Sequence, residues 1–338
     1  MFVYTLYEHF VHHFYFWFIS PKGNIRHFLP KQGRIDESGI SLGGEMIYWE
    51  DIHGVEMDEN RLIISLMPYC VLGLNSSEHI VPEHQCIVIS VRGDDTFLLK
   101  TGIDRRISVR KAKQRIAGMS EDEIAKKFRY MNCPRCDALI DLTDYPQTFY
   151  VFCPYCHALA DKHNTPLAGY ENYRVCPECN FFGKVADFED YHYYKTLQKG
   201  GFYHKHYYCC DACAENFFKK NIIHNLSFVV GAIMSVYQRI KARQKRHHSF
   251  EDLHKANRYA LMGAVNEAKN IYYSILLRLP HHPGIHYNLG YMYFRIGDKK
   301  KASFYFEKCI QQCGNYLPLI QLLKKYESVV MEEEKKVE

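Results

Sequence analysis

Residues 133–156 read CPRCDALIDLTDYPQTFYVFCPYC, and residues 176–213 read CPECNFFGKVADFEDYHYYKTLQKGGFYHKHYYCCDAC. Each stretch opens and closes on a Cys-x-x-Cys pair: Cys133/Cys136 and Cys153/Cys156, then Cys176/Cys179 and Cys210/Cys213. A turn across two residues brings two sulfurs within bonding range of one metal ion, and two such turns complete a tetrahedral shell. Proline after the leading cysteine stiffens three of the four turns. Eight thiolates at this spacing predict two structural Zn²⁺ sites of four cysteines each.

Loop length bears on which turns share a metal. Sixteen residues separate Cys136 from Cys153, within the range of a zinc ribbon. Thirty separate Cys179 from Cys210, so a second ribbon carries a longer hairpin turning near Gly200-Gly201. Nineteen separate Cys156 from Cys176, so pairing the two central turns and the two outer turns also satisfies spacing, although short loops close at lower entropic cost. Cys210 keeps the two-residue gap that Cys209 does not, and His157, His204 and His206 are left outside the shells. A closed four-sulfur shell has no open position, so the metal is expected to be a staple and not a catalyst. Four pairs in series do not fit thioredoxin-like redox chemistry, which uses one pair in a βαβ setting.

At 338 residues the chain predicts several modules, and 47% apolar content suffices for packed cores. A net charge of +5 is too small for a dedicated nucleic-acid binder along its whole length, so any basic surface is local. Thirteen cysteines are an odd count, and eight fall in metal-type pairs; this favours a reducing, cytoplasmic compartment over a secreted disulfide scaffold. The aromatic start MFVYTLYEHFVHHFYFWFIS has no basic n-region and is interrupted by Glu8, His9, His12 and His13, so it is not read as a signal peptide. No nucleophile–base arrangement, phosphate-binding glycine loop or zinc-protease helix motif is present, and the expectation is a non-enzymatic protein.

Between about 34 and 100, short runs separated by turn residues predict an antiparallel meander: RIDESGISL, GEMIYWEDI, GVEMDENRLIISLM, QCIVISV and TFLLK. A helix is predicted from about Arg105 to Arg129, with Ser120 and Glu123 at capping-box spacing. The run GISLGGEMIYWEDIHGVEMDENRLIISL resembles bacterial PH-like domains through the turn Trp49, Glu50, Asp51, Ile52. That likeness implies a small barrel plugged by a helix; a plain antiparallel sheet packed on a helix fits the same pattern.

From 249 onward the chain repeats itself at thirty-four residues: Tyr259 and Tyr293, Gly263 and Gly297, Ala268 and Ala302, Tyr272 and Phe306. The second copy, GIHYNLGYMYFRIGDKKKASFYFEKCI, resembles the tetratricopeptide repeat at Leu289, Gly290, Tyr293, Gly297, Ala302 and Phe306. The first keeps Ala256, Tyr259, Gly263, Ala268 and Pro280 but has Lys255 where leucine is usual. Two repeats leave apolar faces open, so helices near Phe217–Arg243 and Leu317–Val330 are expected to cover the ends. The resemblance implies a concave face that binds a peptide, with Asn257 and Asn288 matching the asparagines that hold ligand backbone. Leu253, Pro318 and Leu322 stand where the carboxylate-holding basic residues would be. Asn288, Tyr291 and Arg295 are therefore the candidate contacts to peptide backbone, beside Asn257.

Residues 221–238 contain no Lys, Arg, Asp or Glu, and Ser227, Gly231 and Ser235 form a small-xxx-small ladder of the kind membrane helices pack through. Asn221, His224, Asn225 and Gln238 dilute the run, and basic residues flank both ends. Ile222, Leu226, Val229, Val230, Ile233, Tyr237 and Ile240 form one helical stripe, expected to pack on the first repeat. Arg239, Lys241, Arg243, Lys245 and Arg246 are then a solvated helix end.

The fold class expected is multidomain α+β. It comprises a β-rich, PH-like domain over 1–130, a double zinc ribbon over 131–216, an apolar helix and basic linker over 217–248, and tetratricopeptide-like helices over 249–338. The function expected is a scaffold or adaptor for a protein or peptide partner. Two rivals use other residues. A nucleic-acid binder would use Lys184, Lys195, Lys199, Lys205 and His204 with the hairpin tyrosines. A membrane-peripheral scaffold would use 221–246.

Overall fold

A computed structural model describes residues 11–20, 25–58, 61–68, 70, 80–81, 85–92, 95–161, 163, 165, 172–195, 200–224, 229–244 and 246–335. The architecture is mixed α+β, and the chain divides into two compact units, Met1–Thr143 and Asp144–Glu338.

In the first unit eight strands form one antiparallel sheet: β1 (His12–Phe18), β2 (Lys31–Ile35), β3 (Gly39–Leu42), β4 (Glu45–Tyr48), β5 (Ile52–Asp58), β6 (Arg61–Leu66), β7 (Ile80–Val81) and β8 (Cys86–Val91). The order is β4-β3-β2-β1-β8-β6-β5, with β7 pairing β8. Strand β1 lies at the centre because its aromatics alternate. Phe14, Phe16 and Phe18 are buried on one face while Tyr15 is exposed on the other. Helix α1 (Asp95–Ala117) buries Leu99, Ile103 and Ile107, and α2 (Glu121–Lys127) follows.

The segment TFLLK, expected as a strand, opens α1 instead, which starts ten residues before the predicted Arg105. Thr96, Leu99, Lys100, Ile103, Asp104 and Ile107 are all buried, a three-to-four-residue spacing that only a helix places on one face. The turn after β4 is the short 3₁₀ segment Trp49–Asp51. Arg110 of α1 holds it by donating to the Trp49 carbonyl and, at 2.7 Å, to that of Ile52, while Trp49 Nε1 donates to the Asp36 carbonyl at 3.2 Å. The Trp-acid-acid-Ile run is thus where the helix is fastened to the sheet. The unit ends on the hairpin β9 (Tyr130–Asn132) and β10 (Leu139–Asp141), with Arg105 Nε donating to the Cys136 carbonyl at 3.0 Å.

The second unit begins with the hairpin β11 (Tyr150–Phe152) and β12 (Leu159–Asp161). A three-stranded sheet follows in the order β13 (Tyr173–Val175), β14 (Phe182–Lys195), β15 (Gly200–Cys210). Lys195 pairs with Gly200, so the predicted long hairpin is present, and the two glycines open its second strand. Helices α3 (Asp211–His224) and α4 (Val229–Arg243) form in place of the single helix expected over 217–243. The array is α5 (Leu253–Leu261), α6 (Val265–Arg278), α7 (Pro283–Arg295), α8 (Lys299–Gln312) and α9 (Leu317–Lys335). Gly263 and Gly297, one repeat apart, both take positive φ (79° and 82°) between paired helices, a conformation that favours glycine. Among the described residues no helix is long and apolar enough to cross a membrane.

His282, ahead of α7, is fully buried among Phe182, Phe250 and Tyr150, and burial lowers its pKa to about 3. The folded state therefore resists a proton that the unfolded chain accepts near pH 6.5, and stability falls as pH drops below that value. The expected loss from this imidazole is about 2 kcal/mol between pH 7 and pH 5, read by urea unfolding. A His282→Phe variant should lack that share of the slope, and an unchanged slope would remove His282 as its source.

Candidate metal centres

Three of the four Cys-x-x-Cys turns share one backbone design. In each, the amide after the second cysteine donates to the carbonyl of the first: Asp137 to Cys133 at 2.7 Å, His157 to Cys153 at 2.9 Å, Asn180 to Cys176 at 2.8 Å. The first cysteine's own amide donates to the carbonyl five residues on, at Ala138, Ala158 and Phe181 (2.9, 2.8 and 2.9 Å). Closing so tight a loop forces the residue after the second cysteine into left-handed space. Asp137, His157 and Asn180 have φ of 59°, 60° and 57°, a region that asparagine, aspartate and histidine enter more readily than most residues. The fourth turn differs. Cys210 ends β15 and Cys213 sits in the first turn of α3, so a strand-to-helix junction supplies the last two sulfurs.

The eight sulfurs gather by neighbouring pairs: Cys133, Cys136, Cys153 and Cys156 in one group, Cys176, Cys179, Cys210 and Cys213 in the other, the ligand atoms of each within 4.8 Å of one another. The alternative pairing of central and outer turns does not occur. Zn–S bonds of about 2.3 Å at tetrahedral angles set sulfurs about 3.8 Å apart, and Cys179 Sγ and Cys210 Sγ lie 3.7 Å apart. Four sulfurs of this geometry can hold one metal ion per group, and the donor set suits zinc. In the second group the Cys210 amide donates to Cys176 Sγ at 3.2 Å, the type of bond that steadies a thiolate. Cys209 is buried but outside the group, and burial raises its pKa.

The junction carrying Cys210 and Cys213 is fixed by a buried ionic cluster. Arg246 Nε donates to Asp211 at 2.9 Å, and Arg243 Nε donates to Glu215 at 2.7 Å. Arg246 is 13% exposed, so the basic run is not simply a solvated helix end. Lys241 also turns inward, its ammonium 3.0 Å from the Asp187 carbonyl, while Lys245 lies outside the described residues.

The asparagines expected to bind a peptide are both fully buried, and they hold this chain's own backbone. Asn288 Oδ1 accepts from the Phe182 amide at 2.6 Å, and its Nδ2 donates to the Phe182 carbonyl at 2.8 Å. Asn257 Nδ2 donates to the same carbonyl at 3.0 Å, while its Oδ1 accepts from Tyr272 at 2.8 Å and from Asn288 Nδ2 at 3.0 Å. Tyr291 and Arg295 engage the same segment. Asn180 Nδ2 donates to the Tyr291 hydroxyl at 3.3 Å, and the Arg295 guanidinium lies 5.8 Å from the Phe181 ring centroid. All four candidate contact residues thus meet residues 180–182, immediately after Cys179. Two glycines permit the approach: a Cβ on Gly183 would stand 2.9 Å from Asn257 Nδ2, and one on Gly284 would stand 2.7 Å from the Phe182 ring.

A third carboxamide repeats the arrangement at the other group. Asn315 Oδ1 accepts from the Phe152 amide at 2.9 Å and Nδ2 donates to its carbonyl at 2.8 Å, one residue before Cys153. Sequence reading passed over Asn315, because it stands off the thirty-four-residue register, where Leu322 is the equivalent of Asn288. Leu253 is buried, and Pro318 and Leu322 line a cleft with Tyr173, Val175 and Tyr316.

Of the residues offered for nucleic-acid contact, Lys184 is buried and donates to the Gln244 carbonyl. Lys199 and the side chains of Lys195, His204 and Lys205 lie outside the described residues, as does that of His206, which was set aside as a metal ligand. No protein-family model, curated protein or solved structure matches this chain.

Proposed function

We propose that this chain is a non-enzymatic scaffold, stabilised by two structural zinc ions, that holds an extended protein segment against its helical array. The array is read as tetratricopeptide-like and the first unit as PH-like, on the residues given above, and thiolate ligands suit the reducing cytoplasm. Asn257, Asn288 and Asn315 are occupied by this chain's own Phe182 and Phe152 backbone, so the observation that carries the reading is the cleft beside them. A cleft of about 290 Å³ adjoins both clamped residues, bordered by Tyr173, Val175, Tyr316, Pro318 and Leu322. Strand β13 is at the edge of its sheet, suiting an extended segment. Arg174 and Lys325 at the cleft favour acidic side chains.

A photo-crosslinking residue placed at Gln321, in the cleft, should capture a discrete protein in native cells. One placed at exposed Lys300 should not, and Leu322→Glu should abolish the adduct. Nuclease-sensitive recovery, or the same products from both positions, would overturn the scaffold reading.

A further inference from the structure

Helix α4 is amphipathic in the inverse sense to a helix that serves only a core. Ser235 and Gln238 are each 2% exposed, while Ile233, Val236, Tyr237 and Ile240 are 61%, 44%, 57% and 50% exposed. The predicted stripe therefore points away from the protein at each of its positions whose side chain is described on α4. Packing on the first repeat is done by α3, against α5, and α4 lies on α3 and β14. Four large apolar side chains at i, i+3, i+4 and i+7 make a continuous ridge about 10 Å long, a pattern that scattered surface residues do not give.

The exposed charges described on this helical hairpin have one sign. The acids of the helical hairpin 211–243, Asp211 and Glu215, are both buried in the ionic cluster, Arg243 is paired with Glu215, and Lys219 and Lys220 are exposed. An exposed apolar ridge on a helical hairpin that also exposes lysines has the form of a helix lying in the headgroup layer of a bilayer. We propose that α4 docks this protein on an anionic membrane surface, with Ile233, Val236, Tyr237 and Ile240 entering the acyl boundary and the cations meeting lipid phosphates. This surface is separate from the cleft, so either can fail without the other.

The test is co-sedimentation of the full chain with phosphatidylcholine vesicles containing about a third phosphatidylserine, beside pure phosphatidylcholine. Binding should be at least tenfold tighter to the anionic vesicles, and Ile233→Ser/Tyr237→Ser/Ile240→Ser should weaken it by more than tenfold. Lys219→Glu/Lys220→Glu, a change of exposed charge only, should also weaken it severalfold. The serine variant alters outward side chains, so its unfolding midpoint should match the parent, which separates lost docking from lost folding. Indifference to lipid charge, equal binding by the serine variant, or a parent dimer that the variant converts to monomer would each overturn the proposal.

Discussion

Replacing Cys210 with serine should remove one zinc ion per chain and unfold much of the second unit, whereas Cys209→Ser should leave two zinc ions bound and cost about 1 kcal/mol. The two sulfurs are adjacent in sequence and both buried, so burial does not distinguish them. Only Cys210 belongs to the four-sulfur group. Binding of a structural zinc contributes about 10–16 kcal/mol in small metal-folded domains, which exceeds the usual net stability of a domain, about 5–15 kcal/mol. Loss of one shell is therefore enough to tip the balance. The effect should reach the array, because Cys176, Cys179 and Cys210 lie in one apolar core with Phe181, Phe182, Tyr272, Tyr287 and Leu289. Metal analysis beside far-ultraviolet circular dichroism checks both halves: about two zinc per parent chain, about one for Cys210→Ser, and a loss of helix greater than α3 alone accounts for. Equal metal content in the two variants would refute the assignment of the fourth turn.

What was legible in the sequence follows from how local each signal is. The Cys-x-x-Cys turns are set by a few consecutive residues, and the neighbouring pairs gather as loop entropy favours. The array was legible for a related reason, since glycine and small residues at a fixed period report a helix pair that carries its own packing. The signal for β1 was also present, in the alternation of Phe14, Phe16 and Phe18, but histidines and an aromatic-rich flank obscured it. TFLLK was misread because five apolar-rich residues fit either period, and the deciding positions, Ile103 and Ile107, lie beyond the run. The stripe of α4 shows a different limit: periodicity establishes that a helix has two faces, not which of them faces inward. The asparagines show a third. A carboxamide presents a donor and an acceptor spaced for a peptide unit, so its chemistry was readable, but which peptide unit it meets depends on contacts more than a hundred residues apart in sequence.

That difference between cis and trans recognition gives a second large effect. Asn288→Ala should destabilise the zinc-loaded protein by about 2–4 kcal/mol, and Asn315→Ala by a similar amount, with no partner present. In the first variant the buried Phe182 amide loses the acceptor it has in Asn288, while its carbonyl keeps Asn257 Nδ2. In the second, both backbone groups of Phe152 lose Asn315. An orphaned buried group costs about 1–3 kcal/mol, and the vacated carboxamide volume adds to it. Asn288→Asp is close in shape and a more discriminating probe. It keeps an acceptor for the Phe182 amide but sets a carboxylate oxygen against the Phe182 carbonyl in a buried site, so it should be no milder than alanine. An array whose asparagines waited for a foreign peptide would have them solvated in the free protein, and the same substitutions would then cost no more than about 0.5 kcal/mol. Urea unfolding in the presence of zinc decides between the two. Near-neutral values for both alanine variants would mean that the backbone beside the Cys-x-x-Cys turns does not depend on the array, and that the asparagines are available to a partner after all.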